Sequence, residues 1–221
     1  MDKFFIPANA AEDWKSLLAE PDKQWRDDYS AKLLACCWQE ANDFPPSVKK
    51  VFIDSGIALF QDIKLLLAFP EYKVSLPGGR SASQNDIFVL ARGDNELISI
   101  TVEGKKSEPF DKTVAEWKSE YGKGKDIRLG FLCSELQLEP EQLDHIRYQL
   151  LHRTASAVIE AKKLNAHNAL MLVHSFSPTN EWFDDYCSFL ELFGVQGEID
   201  SIVFAKSIDG IDLFFAWVQQ R

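Results

Sequence analysis

The sequence predicts an α/β (α+β) fold: a single domain with a mixed central β-sheet flanked by helices. Three observations carry this. Short apolar runs of strand length, such as Ile87–Leu90, Leu97–Val102 and Ala169–His174, alternate with stretches of helical periodicity. The chain has 221 residues, 46% of them hydrophobic and 26% charged, which is enough for a real core. No internal repeat or low-complexity linker divides it, so one domain, 1–221, is the economical reading.

In chain order, Trp14, Leu17 and Leu18 suit a short helix that ends before Pro21. Ser30 is a good N-cap for Ala31–Ala41, with Leu33, Leu34, Cys37 and Trp38 on one face. Pro45-Pro46 breaks that helix and starts the next, Ser47–Ser55. Ile57–Leu76 reads as one or two strands bent at Pro70, and Pro77-Gly78-Gly79 as a turn. Arg80–Asn85 is a polar loop feeding a hairpin of the two apolar runs 87–90 and 97–102. Thr113–Glu120 suits a helix carrying Trp117, and Tyr121–Lys125 ends it. Ile127–Cys133 reads as a short strand or as a buried turn of helix.

A long helix is expected from Pro140 to about Leu164. Its apolar face is Leu143, Ile146, Leu150, Ala157, Ala161 and Leu164. Ala169–His174 is a buried strand. Asn180 can cap Glu181–Phe193, with Gly194 or Gly197 as its stop. Ser201–Lys206 and Ile211–Val218 form a last hairpin across Asp209-Gly210. The expected division is an N-terminal helical extension (1–45), a core (46–175) and a C-terminal helix with hairpin (176–221).

The formal net charge of −10 counts against affinity built on broad phosphate neutralisation, though a local patch can still serve. Cys36, Cys37, Cys133 and Cys187 form no C-x-x-C pair, which argues against zinc and for cysteines acting as small buried hydrophobes. The first residues lack a long apolar run, and no segment reaches the length of a membrane span. A cytoplasmic setting without a membrane partner is the default expectation. Oligomeric state is not legible.

Chemistry concentrates in Asn85–Lys106. Asp86 opens one apolar run, and Glu103-Gly104-Lys105 closes the next, so a hairpin can bring two carboxylates and a lysine to one point. Phosphodiester hydrolysis needs a Lewis acid, an activated water and stabilisation of the leaving oxygen. Mg²⁺ or Mn²⁺ prefers hard oxygen ligands, which Asp86, Glu103 and the Gly104 carbonyl can supply. Lys105 lies two residues from Glu103 and therefore on the same strand face. The same spacing also suits a solvated hairpin with a surface ion pair.

Several neighbours bear on this choice. Residues 104–128 carry seven basic residues, Lys106 among them, against five acidic ones. Arg80 follows a Gly-Gly turn that can meet a phosphate. Gln149, Arg153, Ser156 and Glu160 form a polar line beside the apolar stripe of the long helix. That line is either a solvent face or a row that reaches substrate, with Gln149 and Arg153 the candidate substrate contacts. His145, Tyr148 and His152 form an adjacent row. His152 and His174 lack metal-ligand spacing. Asp54 or Glu71 is a candidate for a further carboxylate. Phosphate-loop, nucleophile-elbow, zincin and dinucleotide-binding signatures are absent.

The residues N85-D86-I87 and V102-E103-G104-K105-K106 resemble the PD-(D/E)XK, or restriction-endonuclease-like, superfamily, whose core runs helix, three strands, helix, strand. The pieces QWRDDYSAKLLACCW, VEGKKSEPFDKTVAEW, RYQLLHRTASAVIEA and LMLVHSFS resemble an uncharacterised bacterial family over nearly the full length. The resemblance implies a restriction-endonuclease-like core, Asp86 and Glu103 as metal ligands, and Lys105 as the catalytic lysine. Asn85 stands where a proline commonly precedes the first acid, and Gly104 where a β-branched or apolar residue is more usual. The expected function is a Mg²⁺- or Mn²⁺-dependent nuclease acting on DNA or RNA. The alternative is a non-catalytic interaction protein that keeps the fold, favoured by the acidic stretch 181–221. A small-molecule hydrolase would need an enclosed pocket.

Overall fold

The computed structural model describes residues 8, 10–27, 29–119 and 122–221. The first seven residues, Glu120 and Tyr121 lie outside them, and with them the expectations made there. A six-stranded mixed sheet runs through the molecule in the order β1 (Lys64–Val74), β2 (Ser83–Gly93), β3 (Glu96–Lys105), β4 (Asn168–Ser175), β6 (Ile211–Gln219), β5 (Ser201–Ile208). β1–β2–β3 is an antiparallel meander, β4 lies parallel to both β3 and β6, and β5 returns antiparallel on β6.

Alternation along the strands sorts side chains to two layers. Ile87, Val89, Ala91, Ile98, Ile100 and Val102 face a cluster built with α2 (Ser30–Ala41), α3 (Pro46–Asp54) and α4 (Ala58–Gln61). Its spine is a chain of rings, Trp38, Phe44, Phe52, Phe60 and Phe214, with successive centroids 5.0 to 5.9 Å apart. Trp14, from a 3-10 helix at Ala11–Leu17, joins the same cluster. The opposite face carries α6 (Lys125–Leu136), α7 (Tyr148–Leu164) and α8 (Phe183–Glu191), packed through Leu132, Leu150, Ala157, Phe189 and Trp217. No helix among the described residues is long and apolar enough to cross a membrane.

The hairpin is longer than its apolar runs suggest. Asp94 and Asn95 both adopt positive φ, 47° and 63°, as a type I′ turn requires, so β2 and β3 pair from Gly93–Glu96 to Ile87–Val102. Of the stretch Ile57–Leu76, read as one or two strands, Lys64–Val74 forms the single strand β1, while Ala58–Gln61 is a helical turn, α4, and not strand. Pro70 is tolerated because β1 is an edge, and Glu71 follows it with φ 52°.

Several sequence expectations are corrected. Ile127–Cys133 belongs to α6, because Leu129, Leu132, Cys133 and Leu136 repeat at helical spacing and are buried, while Ile127 is 61% exposed. The long helix breaks before Arg147. Pro140–Gln142 is a single 3-10 turn, and the backbone of 144–148 pairs instead with 112–115: Val114 N–H on the Ile146 carbonyl (2.8 Å), Tyr148 N–H on the Lys112 carbonyl (3.0 Å). Ser30 is the first residue of α2 and not its N-cap, and Glu108 accepts both its N–H (3.1 Å) and its hydroxyl. Asn180 does not cap α8; its Oδ1 accepts the Trp217 indole N–H at 3.0 Å. Of the cysteines, all free, only Cys133 is fully buried.

Candidate functional site

The parallel β3–β4 pair and the antiparallel β2–β3 pair end at one corner of the sheet, and α7 crosses the face above it. Ser99, Thr101, Glu103 and Lys105 point toward α7 by strand alternation. Two of these are structural: Ser99 Oγ donates to the Ala157 carbonyl (2.8 Å) and Thr101 Oγ1 to the Arg153 carbonyl (3.0 Å). They seat the helix so that its polar line lies over the end of β3.

Glu103, 2% exposed, is the centre of the site. Its Oε1 accepts from Lys105 Nζ (2.7 Å) and Gln149 Nε2 (2.6 Å), and its Oε2 from Arg153 Nε (2.6 Å). Burial opposes its charge, but Arg153 and Lys105 outweigh that and hold its pKa below the usual carboxylate range. Lys105 Nζ also lies 4.9 Å from the centre of the Phe110 ring.

Asp86 sits beside this cluster, partly buried on the wall of a cavity of about 450 Å³. Its Oδ2 accepts the Gly104 N–H at 2.8 Å. In an extended strand a residue's N–H and C=O face the same neighbour, so the Gly104 carbonyl also faces the Asp86 side. Gly104 is a packing requirement: a Cβ there would lie 3.2 Å from Ser30 Cβ and 3.3 Å from Leu34 Cδ2 of α2.

Glu71 is the third carboxylate. It lies between the paired residues Pro70–Ile87 and Tyr72–Asn85, directly across from Asp86, and its Oε2 accepts from Gln84 Nε2 (2.7 Å). Like charges at opposed positions of a sheet repel. Burial, with repulsion from Glu103 added, pushes Glu71 up to about 7; burial, Glu103 and Glu71 push Asp86 well above its ordinary value. Among the described residues neither Glu71 nor Asp86 forms an ion pair.

Arg153 is braced on its far side. Its Nη1 is 3.3 Å from Ser83 Oγ, which lies 2.8 Å from His152 Nδ1 and 2.9 Å from Ser156 Oγ. Burial and the nearby Arg153, Arg128 and Lys105 keep His152 neutral. The polar line of α7 is therefore not a solvent face. Gln149 and Arg153 reach Glu103, Ser156 reaches Ser83, and Glu160 accepts from the Tyr72 hydroxyl (3.1 Å).

The cavity is lined by Glu71, Asp86, Glu103, Lys105, Gln149 and Arg153, and its roof is the N-terminal segment together with the loop after β3. Arg80 and Lys106 are not on it. Arg80 is exposed, since the turn before it is pinned by Arg128, which donates to the carbonyls of Pro77 (2.9 Å) and Ser81 (2.7 Å). Lys106 Nζ donates to the Asp27 carbonyl at 2.6 Å. Asp54 is on α3, exposed and paired with Lys50. His174 is no ligand either. Its Nδ1 accepts from Trp38 Nε1 (3.0 Å) and its Nε2 meets Gln220 Oε1 (3.2 Å) on the opposite face of the sheet. Sequence reasoning missed Ser83, Glu108 and the roof, for which no local signal exists.

The donor set suits a hard cation in chemistry, because Asp86 and Glu71 are half-buried carboxylates that line the cavity and form no ion pair among the described residues. Glu103 suits it less, since each of its oxygens already holds a donor. Among the described residues no three His, Cys, Asp or Glu side chains form a ready metal-holding group.

A family model described as a domain of unknown function, DUF6946, matches residues 7–221. No curated protein and no solved structure matches the chain.

Proposed function

The chain belongs to the DUF6946 family, and from the residues that meet at the cavity we propose that it is a Mg²⁺- or Mn²⁺-dependent phosphodiesterase acting on nucleic acid. The single observation that carries this reading is the convergence of Asp86, Glu103 and Lys105 from β2 and β3 with Gln149 and Arg153 from α7 on one cavity wall. The antiparallel meander followed by a parallel β4 supports it, because this order accords with the resemblance in the hairpin. The acids beside Glu103 support it too, since buried like charges invite a cation.

A divalent ion held by Asp86, Glu103 and the Gly104 carbonyl would act as Lewis acid on the scissile phosphate. The side chains of the chain do the rest. Lys105, fixed by Glu103, holds and orients the attacking water. Arg153, braced by Ser83, places its guanidinium against charge developing on the phosphate oxygens. Glu71, with a pKa of about 7, takes the proton the water loses as its oxygen bonds to phosphorus and can return it to the departing oxygen.

A second reading has its own observation. Glu103 is already satisfied by two cations and an amide, as a purely structural carboxylate would be, which suits a non-catalytic interaction protein. One experiment separates them. With Mn²⁺, the purified protein should nick labelled DNA or RNA, and Glu103→Ala and Lys105→Ala should each abolish it. Calorimetric Mn²⁺ binding should weaken in Asp86→Ala. No cleavage by the wild type, or wild-type cleavage retained by both variants, sinks the enzyme reading.

A further inference from the structure

The charge on the cavity wall bears on which bond of a strand the site takes. Among the described residues, five carboxylates line the cavity, Glu71, Asp86, Glu103, Glu108 and Asp111, against two cations, Lys105 and Arg153. Both cations already lie on Glu103, at 2.7 and 2.6 Å. With the carboxylates ionised, even a bound divalent ion would leave this lining net negative. No cation on the wall is left over for a second phosphate.

Asp111 stands at the mouth of the cavity, exposed, with its backbone at φ 57°. Arg147 reaches it only through the backbone. Its Nη1 donates to the Asp111 carbonyl (2.9 Å), while its Nε donates to the Asp185 carboxylate (2.9 Å). The Asp111 carboxylate itself forms no ion pair or hydrogen bond among the described residues. A cavity of about 450 Å³ is roughly 10 Å across, close to one Debye length in physiological salt, so a charge inside it feels the whole wall without touching it. At about 8 Å, one carboxylate disfavours one further phosphate charge roughly two- to thirty-fold for an effective ε between 80 and 20. An internal diester has a phosphate on each side. The last diester of a strand that ends in a hydroxyl has a neighbouring phosphate on one side only.

We infer that Asp111 is a specificity-determining residue: it repels phosphate beside the bond being cut, so that the site favours the last diester of a strand ending in a hydroxyl over internal bonds and phosphorylated ends. This inference rests on the phosphodiesterase reading, and its test keeps the two apart.

The probes share one single-stranded DNA sequence with fluorescein on an internal base. One has hydroxyls at both ends, one has phosphates at both ends, and one is a closed circle. With Mn²⁺, the wild type should shorten the hydroxyl-ended strand at least about five-fold faster than it cuts either of the others. Asp111→Asn removes the charge, keeps a side chain that tolerates positive φ, and should narrow that margin about two-fold or more. Anisotropy in EDTA, where no metal supports turnover, should show the wild type binding the hydroxyl-ended strand more tightly than the phosphorylated one, by a margin that Asp111→Asn reduces. Equal rates on all three probes overturn the inference and leave the phosphodiesterase reading standing. A margin that Asp111→Asn leaves intact refutes Asp111 as its cause. The binding preference without cleavage of any probe keeps the inference and overturns the catalytic reading, and neither binding nor cleavage overturns both.

Discussion

Arg153 Nε lies 2.6 Å from Glu103 Oε2, and both side chains are buried, so the second turn of α7 is fastened to the end of β3 through one ion pair. Any chemistry at the cavity depends on this bond, because Lys105 and Gln149 share the same carboxylate. Removing one partner of a buried pair leaves a charge without compensation.

Glu103→Gln leaves the buried Arg153 and Lys105 both without their carboxylate and should therefore destabilise the protein by about 3–5 kcal/mol in urea unfolding. Adding Arg153→Met removes one of the two stranded charges and should restore part of the loss. Losses that simply add would show that the two residues act independently.

Glu71 gives a pH-dependent effect with a definite sign. Its pKa rises from 4.5 to about 7 on folding. Between those values the folded state holds a proton the unfolded state has released, so stability falls as pH rises from 4.5 toward 7, and the cost is complete above 7. Glu71→Gln should stabilise the protein by about 1–3 kcal/mol at pH 8. The gain should disappear below pH 4.5, as thermal unfolding across pH will show.

His174 has the opposite dependence. Burial lowers its pKa to about 4 from 6.5. Below 6.5 the unfolded chain takes up a proton that the folded state refuses, so stability is lost as pH falls from 6.5 to 4. The loss amounts to roughly 3 kcal/mol, with none of it present above 6.5. In His174→Gln that stretch of the stability profile should flatten, whatever the variant's own stability at pH 7.

Gly104→Val should cost about 1–3 kcal/mol by crowding Ser30 and Leu34, and Gly104→Ala less. If the crowding is against α2, Leu34→Ala combined with Gly104→Val should cost less than the sum of the two. Strict additivity would place the strain elsewhere.

Much of the fold was legible because its signals are local. The runs 87–90 and 97–102, the Asp209-Gly210 turn and the stripe of α7 each announce themselves within a dozen residues, and the structure carries all of them. The Ile127 segment was ambiguous for the reason short apolar runs generally are: four or five apolar residues satisfy either period until a neighbour chooses. The break before Arg147 was hidden because Leu143 and Ile146 keep helical spacing although their backbone pairs with 112–115.

The candidate site was legible only in part. Asp86, Glu103 and Lys105 stood out by chemistry and spacing, and Gln149 and Arg153 by their line on one helix. Lys106 and Arg80 were indistinguishable from them as charges, and the structure sends one to a backbone carbonyl and the other to solvent. Glu71 was one of two candidates until the register of β1 put it opposite Asp86. The sequence by itself thus determined the mixed α/β class, most of the strands, the two-layered hydrophobic pattern and Asp86, Glu103 and Lys105 as candidates, all properties of short windows. The tertiary structure alone decided which charges meet, which atoms stay unpartnered and what lines the cavity, because these depend on strand register and on contacts between residues far apart in the chain, such as Ser30 and Glu108, 78 positions apart.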